Sequence, residues 1–208
     1  MNDLPPLYIL GSSGLARVIA HHAHAAAPLR RILFVDDRSQ AEDCITVDQY
    51  YKYLARDGGE SIMGAGRCEV RQRMLLEIRP PFATLIHPSA VVMGVVGPGC
   101  LVYPGAMIDP GANLDSHVLV NKNAIIGHDA SIGSLSVIGP LSMIGGWCHL
   151  HEAVYVGAGA LIRERLLIGS NAVIGMGAVV TRDVPANQVA KGNPARTTQK
   201  SQRSGGWL

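Results

Sequence analysis

Stepping by six residues from Val96 meets an aliphatic side chain every time: Val96, Val102, Ile108, Leu114, Val120, Ile126, Ile132, Ile138, Ile144, Leu150, Val156, Ile162, Ile168, Ile174 and Val180. No insertion breaks the phase. Four residues after these positions the side chain is usually small, as at Ala106, Ala112, Ala124, Ala130, Ser136, Ser142, Ala160, Ala172 and Ala178. A period of six matches neither an amphipathic helix nor an alternating strand. It is the mark of a solenoid. One hexad cannot bury an aliphatic group alone, but three short strands per coil close a triangular prism and each coil covers the one below. The aliphatic residue then points inward and the small one eases the corner. Fifteen hexads predict five coils of three. The residues alone do not give the hand of the coil, since right-handed crossovers are the rule for parallel strands.

Upstream of residue 84 the pattern changes. Leu7–Leu10 is a short apolar run, followed by Gly11-Ser12-Ser13-Gly14 and the Ala-rich, helix-like LARVIAHHAHAAA, which Pro28 ends. Ile32–Val35 is a second apolar run, stopped by Asp36-Asp37. Ser61-Ile62-Met63 runs into Gly64-Ala65-Gly66, and a helix carrying Arg67, Arg71 and Arg73 follows, ending before Pro80-Pro81. Strand, Gly-rich turn, helix, strand is a βαβ unit. The chain therefore divides into a small parallel α/β unit over 1–82, a β-solenoid over 83–196, and a polar tail over 197–208 expected to be poorly ordered.

Composition narrows the function classes. Aromatic residues are 5% and charged residues 16% of the 208, with 24 glycines, as suits closely stacked backbone. A net charge of +2 gives no basis for a nucleic-acid or anionic-membrane partner. Cys44, Cys68, Cys100 and Cys148 are widely spaced and form no CxxC pair, so they read as reduced thiols. The N-terminus has no secretory pattern and no apolar run is long enough to span a bilayer, so the expected location is cytoplasmic.

The segments YILGSSGLARV, FVDD, IMGAGRCEVR, TLIHPSA, NKNAIIGHDASIG, VIGMGAVVTRDVP and KGNPAR occur in that order. With them the chain, over about 7–196, resembles the hexapeptide-repeat acetyltransferases that act on nucleotide sugars and sialic acid. These are the UDP-4-amino-sugar N-acetyltransferases of the bacillosamine pathway, the GDP-perosamine N-acetyltransferases and the sialic acid O-acetyltransferases. The resemblance implies a Rossmann-like βαβ domain that holds a sugar nucleotide, followed by a left-handed parallel β-helix. It implies acetyl-CoA bound along the β-helix between the subunits of a homotrimer, and acetyl transfer to an amino sugar in cell-surface glycan biosynthesis.

The same resemblance assigns candidate residues. His128 matches the family's general base and Asp129 its acidic partner. An imidazole near its usual pKa takes a proton at neutral pH, and a carboxylate orients the ring and raises its basicity. Asn121 matches a residue that touches the acceptor sugar; the alternative is a corner Asn with left-handed backbone. Gly146, one coil of eighteen residues beyond His128, matches a glycine at the acetyl group, or is simply a turn glycine. Ala158 and Met176 match further acetyl-CoA positions, and Val137 is placed with them on the cofactor side. Ser13, Gly14 and Leu15 match the anion-binding turn at a helix N-terminus, Asp36 and Asp37 the acidic pair that bonds the nucleoside, and Gly66 a glycine that admits ligand. Ordinary βα-loop chemistry accounts for the same residues. Two positions depart from the pattern. Leu15 stands where relatives carry a His that reaches the sugar nucleotide. Val137 stands where some carry a second His beside the thioester carbonyl, a bond that His149, His151 or a backbone N–H would then supply.

Three other readings compete. O-acetylation uses the same base on a hydroxyl. A non-catalytic trimer would bind a nucleotide sugar without turnover. A zinc enzyme of β-helix shape would draw on His117, His128, His149 and His151, but their spacing does not match the pattern of the β-helix carbonic anhydrases, a zinc site wants several ligands converging on one point, and no metal is expected. His21, His22 and His24 read as an exposed helix face.

Overall fold

The computed structural model describes residues 4–26, 30–78 and 80–199. Pro28 and the tail beyond Gln199 lie outside the described residues. No helix among the described residues is long and apolar enough to cross a membrane.

The N-terminal unit is a four-stranded parallel sheet with three helices. In chain order these are β1 (Leu7–Leu10), α1 (Gly14–Ala26), β2 (Ile32–Val35), β3 (Cys44–Ile45), α2 (Val47–Asp57), β4 (Glu60–Met63) and α3 (Cys68–Glu77). The sheet order is β3-β2-β1-β4, so β1 lies between β2 and β4. All four residues of β1 are buried, as expected of a parallel strand covered on both faces. The short β3 and helix α2 were not read from the pattern. Their signal is Thr46, whose hydroxyl accepts from Gln49 N (3.2 Å) while Gln49 returns a bond to Thr46 N (2.9 Å). This reciprocal cap starts α2.

From Leu85 onward the chain is a parallel β-solenoid of about six coils, each side one stack of two-residue strands. The first face stacks Leu85–Ile86, Leu101–Val102, Leu119–Val120, Val137–Ile138, Tyr155–Val156 and Val173–Ile174. The second stacks Val91–Val92, Met107–Ile108, Ile125–Ile126, Met143–Ile144, Leu161–Ile162 and Val179–Val180. The third stacks Val95–Val96, Asn113–Leu114, Ser131–Ile132, His149–Leu150 and Leu167–Ile168. From Val95–Val96 to Val179–Val180 each strand pairs with one eighteen residues away, one coil, whereas Leu85 and Val91 pair sixteen residues on, with Leu101 and Met107. The inward aliphatic residues from Val102 to Val180 are buried, and the small residues at the fourth following position pack among them.

The structure extends the repeat by a coil at its start. Ile86 and Val92 precede Val96, but the step from Val92 to Val96 is four residues rather than six. Gly94 makes that shortened corner: a Cβ there would lie 2.4 Å from the Ala112 carbonyl oxygen. At the other end Ala195–Gln199 pairs antiparallel with Gln188–Gly192. Thr197, Thr198 and Gln199 therefore belong to a hairpin, not to the poorly ordered tail expected from their polarity. Backbone pairing alone satisfies such a strand while its side chains face water.

The third residue after each aliphatic position from Val96 to Ile174 turns the corner with positive φ. Nine of these corners are not glycine, among them Asn123, Asp129, Leu141, Trp147 and Arg165, with φ of 54–60°. The left-handed corner asparagine is thus Asn123, and the expected alternative for Asn121 falls away.

The three faces differ. The first is covered by the N-terminal unit, where Leu101, Tyr103, Leu119, Leu135, Val137 and Ala153 join one buried cluster with β1, β2 and α1. Arg71 locks this seam. It is fully buried and donates to Ala65 O (3.1 Å) and to His117 O, joining the loop after β4 to a solenoid corner. Burial lowers its pKa to about 10. His22 also belongs to the seam and not to an exposed helix face: its ring meets Tyr103 edge-on at 4.5 Å and His87 at 5.4 Å. Burial first, then the neighbouring His87, Lys122 and His21, lowers its pKa to about 4. The second face presents Val91, Met107, Ile125, Met143, Leu161 and Val179 in one outward ladder. Val91, Met107, Met143 and Leu161 are all exposed. The third face is mostly polar outward, with Asn113, Ser131 and His149 in register.

Candidate functional site

His128 and Asp129 turn the corner between the second and third faces. His128 Nδ1 lies 2.9 Å from Asp129 Oδ2, and both side chains are half exposed. The coil repeat fixes what lies beside them. Asp129 N donates to Pro110 O (3.2 Å), Trp147 N to His128 O (3.0 Å) and Arg165 N to Gly146 O (2.9 Å). Pro110, His128, Gly146 and Glu164 therefore form one column, and Gly111, Asp129, Trp147 and Arg165 the next.

Gly146 is not a conformational turn glycine, since it is absent from the positive-φ corners. Its importance is space. A Cβ at Gly146 would stand 2.7 Å from His128 Nε2, 2.9 Å from Cε1 and 3.0 Å from Cδ2. The imidazole lies against the Gly146 backbone with Nδ1 on the carboxylate. That arrangement leaves Nε2 as the nitrogen free to exchange a proton.

Two residues that the sequence reading did not select complete the corner. The Trp147 ring meets the His128 ring edge-on at 4.2 Å, and the Arg165 guanidinium lies 4.2 Å over the indole. Both stand eighteen and thirty-six residues after Asp129. The eighteen-residue step that stacks Gly146 on His128 stacks Trp147 and then Arg165 on Asp129.

Other candidates fall elsewhere. Ala158 and Met176 form a column with Lys122 and Pro140: Leu141 N donates to Lys122 O, Gly159 N to Pro140 O and Gly177 N to Ala158 O. That column, with Asn121 just before it, turns the corner between the first and second faces. The second face therefore separates Asn121, Ala158 and Met176 from His128 and Gly146 within one chain. Val137 is a correction. Its side chain is 4% exposed and packs in the seam with the N-terminal unit, leaving no open surface for a cofactor. His149 is held by Ser131 Oγ (2.7 Å), and His117 packs edge-on against Phe82. Among the described residues no three His, Cys, Asp or Glu side chains could hold a metal ion.

The remaining candidates gather at the C-terminal ends of β2, β1 and β4, adjacent in the sheet. The chain leaves β1 for β2 on one side and reaches β4 on the other, which opens a crevice there. Ser13 Oγ donates to Gly64 O (2.9 Å) and accepts from Ala16 N, so it ties the two loops and starts α1. Asp36 accepts from Ser12 Oγ (2.6 Å), Ser12 N and Arg38 N, and chiefly the Ser12 bond holds its carboxyl below the usual range. Asp37 accepts from Val47 N (2.8 Å). Both carboxylates thus have internal work. Gly14 opens α1 as its first residue, next to Leu15. Leu15 closes on Gly66, where a Cβ would sit 3.1 Å from its Cδ2.

No family model matches the chain. It is similar in structure to the acetyltransferase domain of PglB from Neisseria gonorrhoeae in complex with acetyl coenzyme A, with a TM-score of 0.86 and 27% identity, covering 93% of this chain and 99% of that one. It is similar to PerB from Caulobacter crescentus in complex with CoA and GDP-perosamine, with a TM-score of 0.86 and 26% identity over 94% and 98%. Among curated proteins, a galactoside O-acetyltransferase of Lactococcus lactis is 42% identical over 52 residues. That match spans a quarter of each chain (25%). The chain thus resembles hexapeptide-repeat acetyltransferases, by fold along most of its length and by sequence over a shorter stretch.

Proposed function

We propose that this protein is an acetyl-CoA-dependent N-acetyltransferase for a nucleotide-linked amino sugar, in the cytoplasmic phase of cell-surface glycan biosynthesis. The observation that carries the reading is the His128–Asp129 pair at a solenoid corner, with Gly146 clearing space at Nε2. The similarity to proteins solved with acetyl-CoA, CoA and GDP-perosamine supports it. On this reading residues 1–82 are a Rossmann-like nucleotide-binding unit, with Ser13, Gly14, Leu15, Asp36, Asp37 and Gly66 at its crevice. Residues 83–196 are a left-handed catalytic β-helix.

The chemistry follows from the pair. The acceptor amine attacks the thioester carbonyl carbon, and His128 Nε2 takes the proton the nitrogen loses. Asp129 holds Nδ1–H and stabilises the imidazolium. Collapse breaks the C–S bond, and the same imidazolium returns its proton to the leaving thiolate. The amide product and the thiol balance the step.

The reading also requires a homotrimer. Asn121, Ala158 and Met176 turn one edge of the second face, and His128 and Gly146 the other. A single chain cannot bring these corners together, but a neighbouring copy can set its own corner against them. The apolar ladder on the second face suits that contact.

Thiol release from acetyl-CoA, measured with UDP-, GDP- and CMP-linked amino sugars, tests the activity. Turnover with one of them supports the reading. Firm nucleotide-sugar binding without turnover favours a binding module instead. Sugar O-acetylation is the second reading, favoured by the likeness to a galactoside O-acetyltransferase. It predicts turnover with the hydroxyl sugar but not its amino analogue.

Gly146→Ala supplies a sharper check on the site. The added methyl meets the ring at Nε2 and the backbone there is ordinary, so the fold should stand while the base is displaced. The expected result is a kcat lower by about tenfold to a hundredfold, the cost of misplacing a catalytic group by an ångström, with an unchanged melting temperature.

A further inference from the structure

The corner carrying His128 has a second layer that the acid–base pair does not use. Trp147 stands directly above Asp129 in the coil stack, its N–H on the His128 carbonyl and its ring edge-on to the imidazole at 4.2 Å. Its other contact is the Arg165 guanidinium over the indole at 4.2 Å. The corner is left-handed, with φ of 55°. Glycine, asparagine or aspartate meets that demand most readily, and a bulky aromatic side chain meets it poorly. The indole is also 41% exposed, so burial in this chain's core does not account for it.

We propose that Trp147 is a positioning residue for His128, with Arg165 clamping the indole in place; the proposal rests on His128 being the base. The imidazole is then constrained on three sides. Asp129 holds it through Nδ1 at 2.9 Å. The Gly146 backbone lies at the Nε2 end. Trp147 meets it at an interplanar angle of 86° and blocks rotation about the Cβ–Cγ bond. A half-exposed histidine held only by a half-exposed carboxylate would sample several orientations. The aromatic wall selects the one with Nε2 presented. Arg165 acts one step further out: it covers the indole from the next coil, and an aromatic face attracts a guanidinium. Neither residue is assigned a contact with the reacting atoms.

The test uses Trp147→Gly, because glycine takes a positive φ without strain and the fold should be preserved. Circular dichroism and melting temperature establish that first. The expected result is a kcat lower by about tenfold or more, unchanged KM for acetyl-CoA and acceptor, and His128 imidazole nitrogen resonances that broaden or shift. Trp147→Phe keeps a ring against the imidazole and should restore most of the rate. Arg165→Leu should shift the Trp147 indole resonance and lower kcat less than Trp147→Gly. A Trp147→Gly enzyme with wild-type kcat, a change confined to KM, or lost rate with unmoved His128 resonances would each overturn the proposal. The imidazole spectrum is read without turnover. Failure of His128 as the base is seen separately, as activity in its alanine variant.

Discussion

His128→Ala is expected to lower kcat by about 10²–10⁴-fold, the range for loss of a general base, with little change in KM for acetyl-CoA. The size follows from what would remain. Without the imidazole, the nitrogen that attacks the thioester must lose its proton to water. Proximity and any backbone donors to the thioester oxygen are left in place, so activity should fall to a residue and not to zero. The substitution should not disturb the fold. His128 is exposed, its side chain bonds Asp129, and the corner's left-handed residue is Asp129. Steady-state kinetics with melting temperature checks this, and turnover equal to wild type would remove His128 from the mechanism.

How far this site could be read from the sequence depends on what a repeat encodes. The period gives each residue's place around the prism, and the eighteen-residue step gives its vertical neighbours. That was enough to stack Gly146 on His128 before any coordinates. It does not say which face another unit covers. Val137 illustrates this: its hexad position is as regular as any, yet the N-terminal unit buries it. His22 shows the same limit from the other side, since helix α1 presents it to Tyr103 across a seam that no local pattern marks. The shortened step at Gly94 hid the first coil, because a phase count begun at Val96 cannot see past it. Asp36 and Asp37 expose a different limit. Their position after β2 was legible, but their bonds to Ser12 and the start of α2 depend on how the loops meet. Trp147 and Arg165 were within reach. They lie one and two eighteen-residue steps beyond Asp129, in the column beside that of His128.

On the proposed homotrimer, Met143→Glu is expected to give a monomer and to abolish the proposed acetyl transfer in the same step. Met143 sits mid-ladder on the second face, between Ile125 and Leu161 in register. Strands in a stack are about 4.8 Å apart, so six rungs make an apolar stripe roughly 25 Å tall. The other two faces are accounted for: the first packs on the N-terminal unit, and the third carries Asn113, Ser131 and His149 outward at its middle. A carboxylate placed within a covered apolar ladder has no partner on its own face. Leaving a charge buried and unpaired costs about 3 kcal/mol or more per contact, which is more than a hundredfold in association at each interface. Inside the chain the change is mild, because the Met143 side chain points outward and is 41% exposed. The subunit should therefore fold with nearly unchanged melting behaviour while light scattering reports the smaller mass. Activity should follow the mass, since Asn121, Ala158 and Met176 lie across the second face from His128. Ser131→Glu on the polar third face is the control and should leave both mass and turnover intact. A Met143→Glu protein that still assembles would show that the ladder is not the contact. A monomer that retains full turnover would show that one chain holds the whole site.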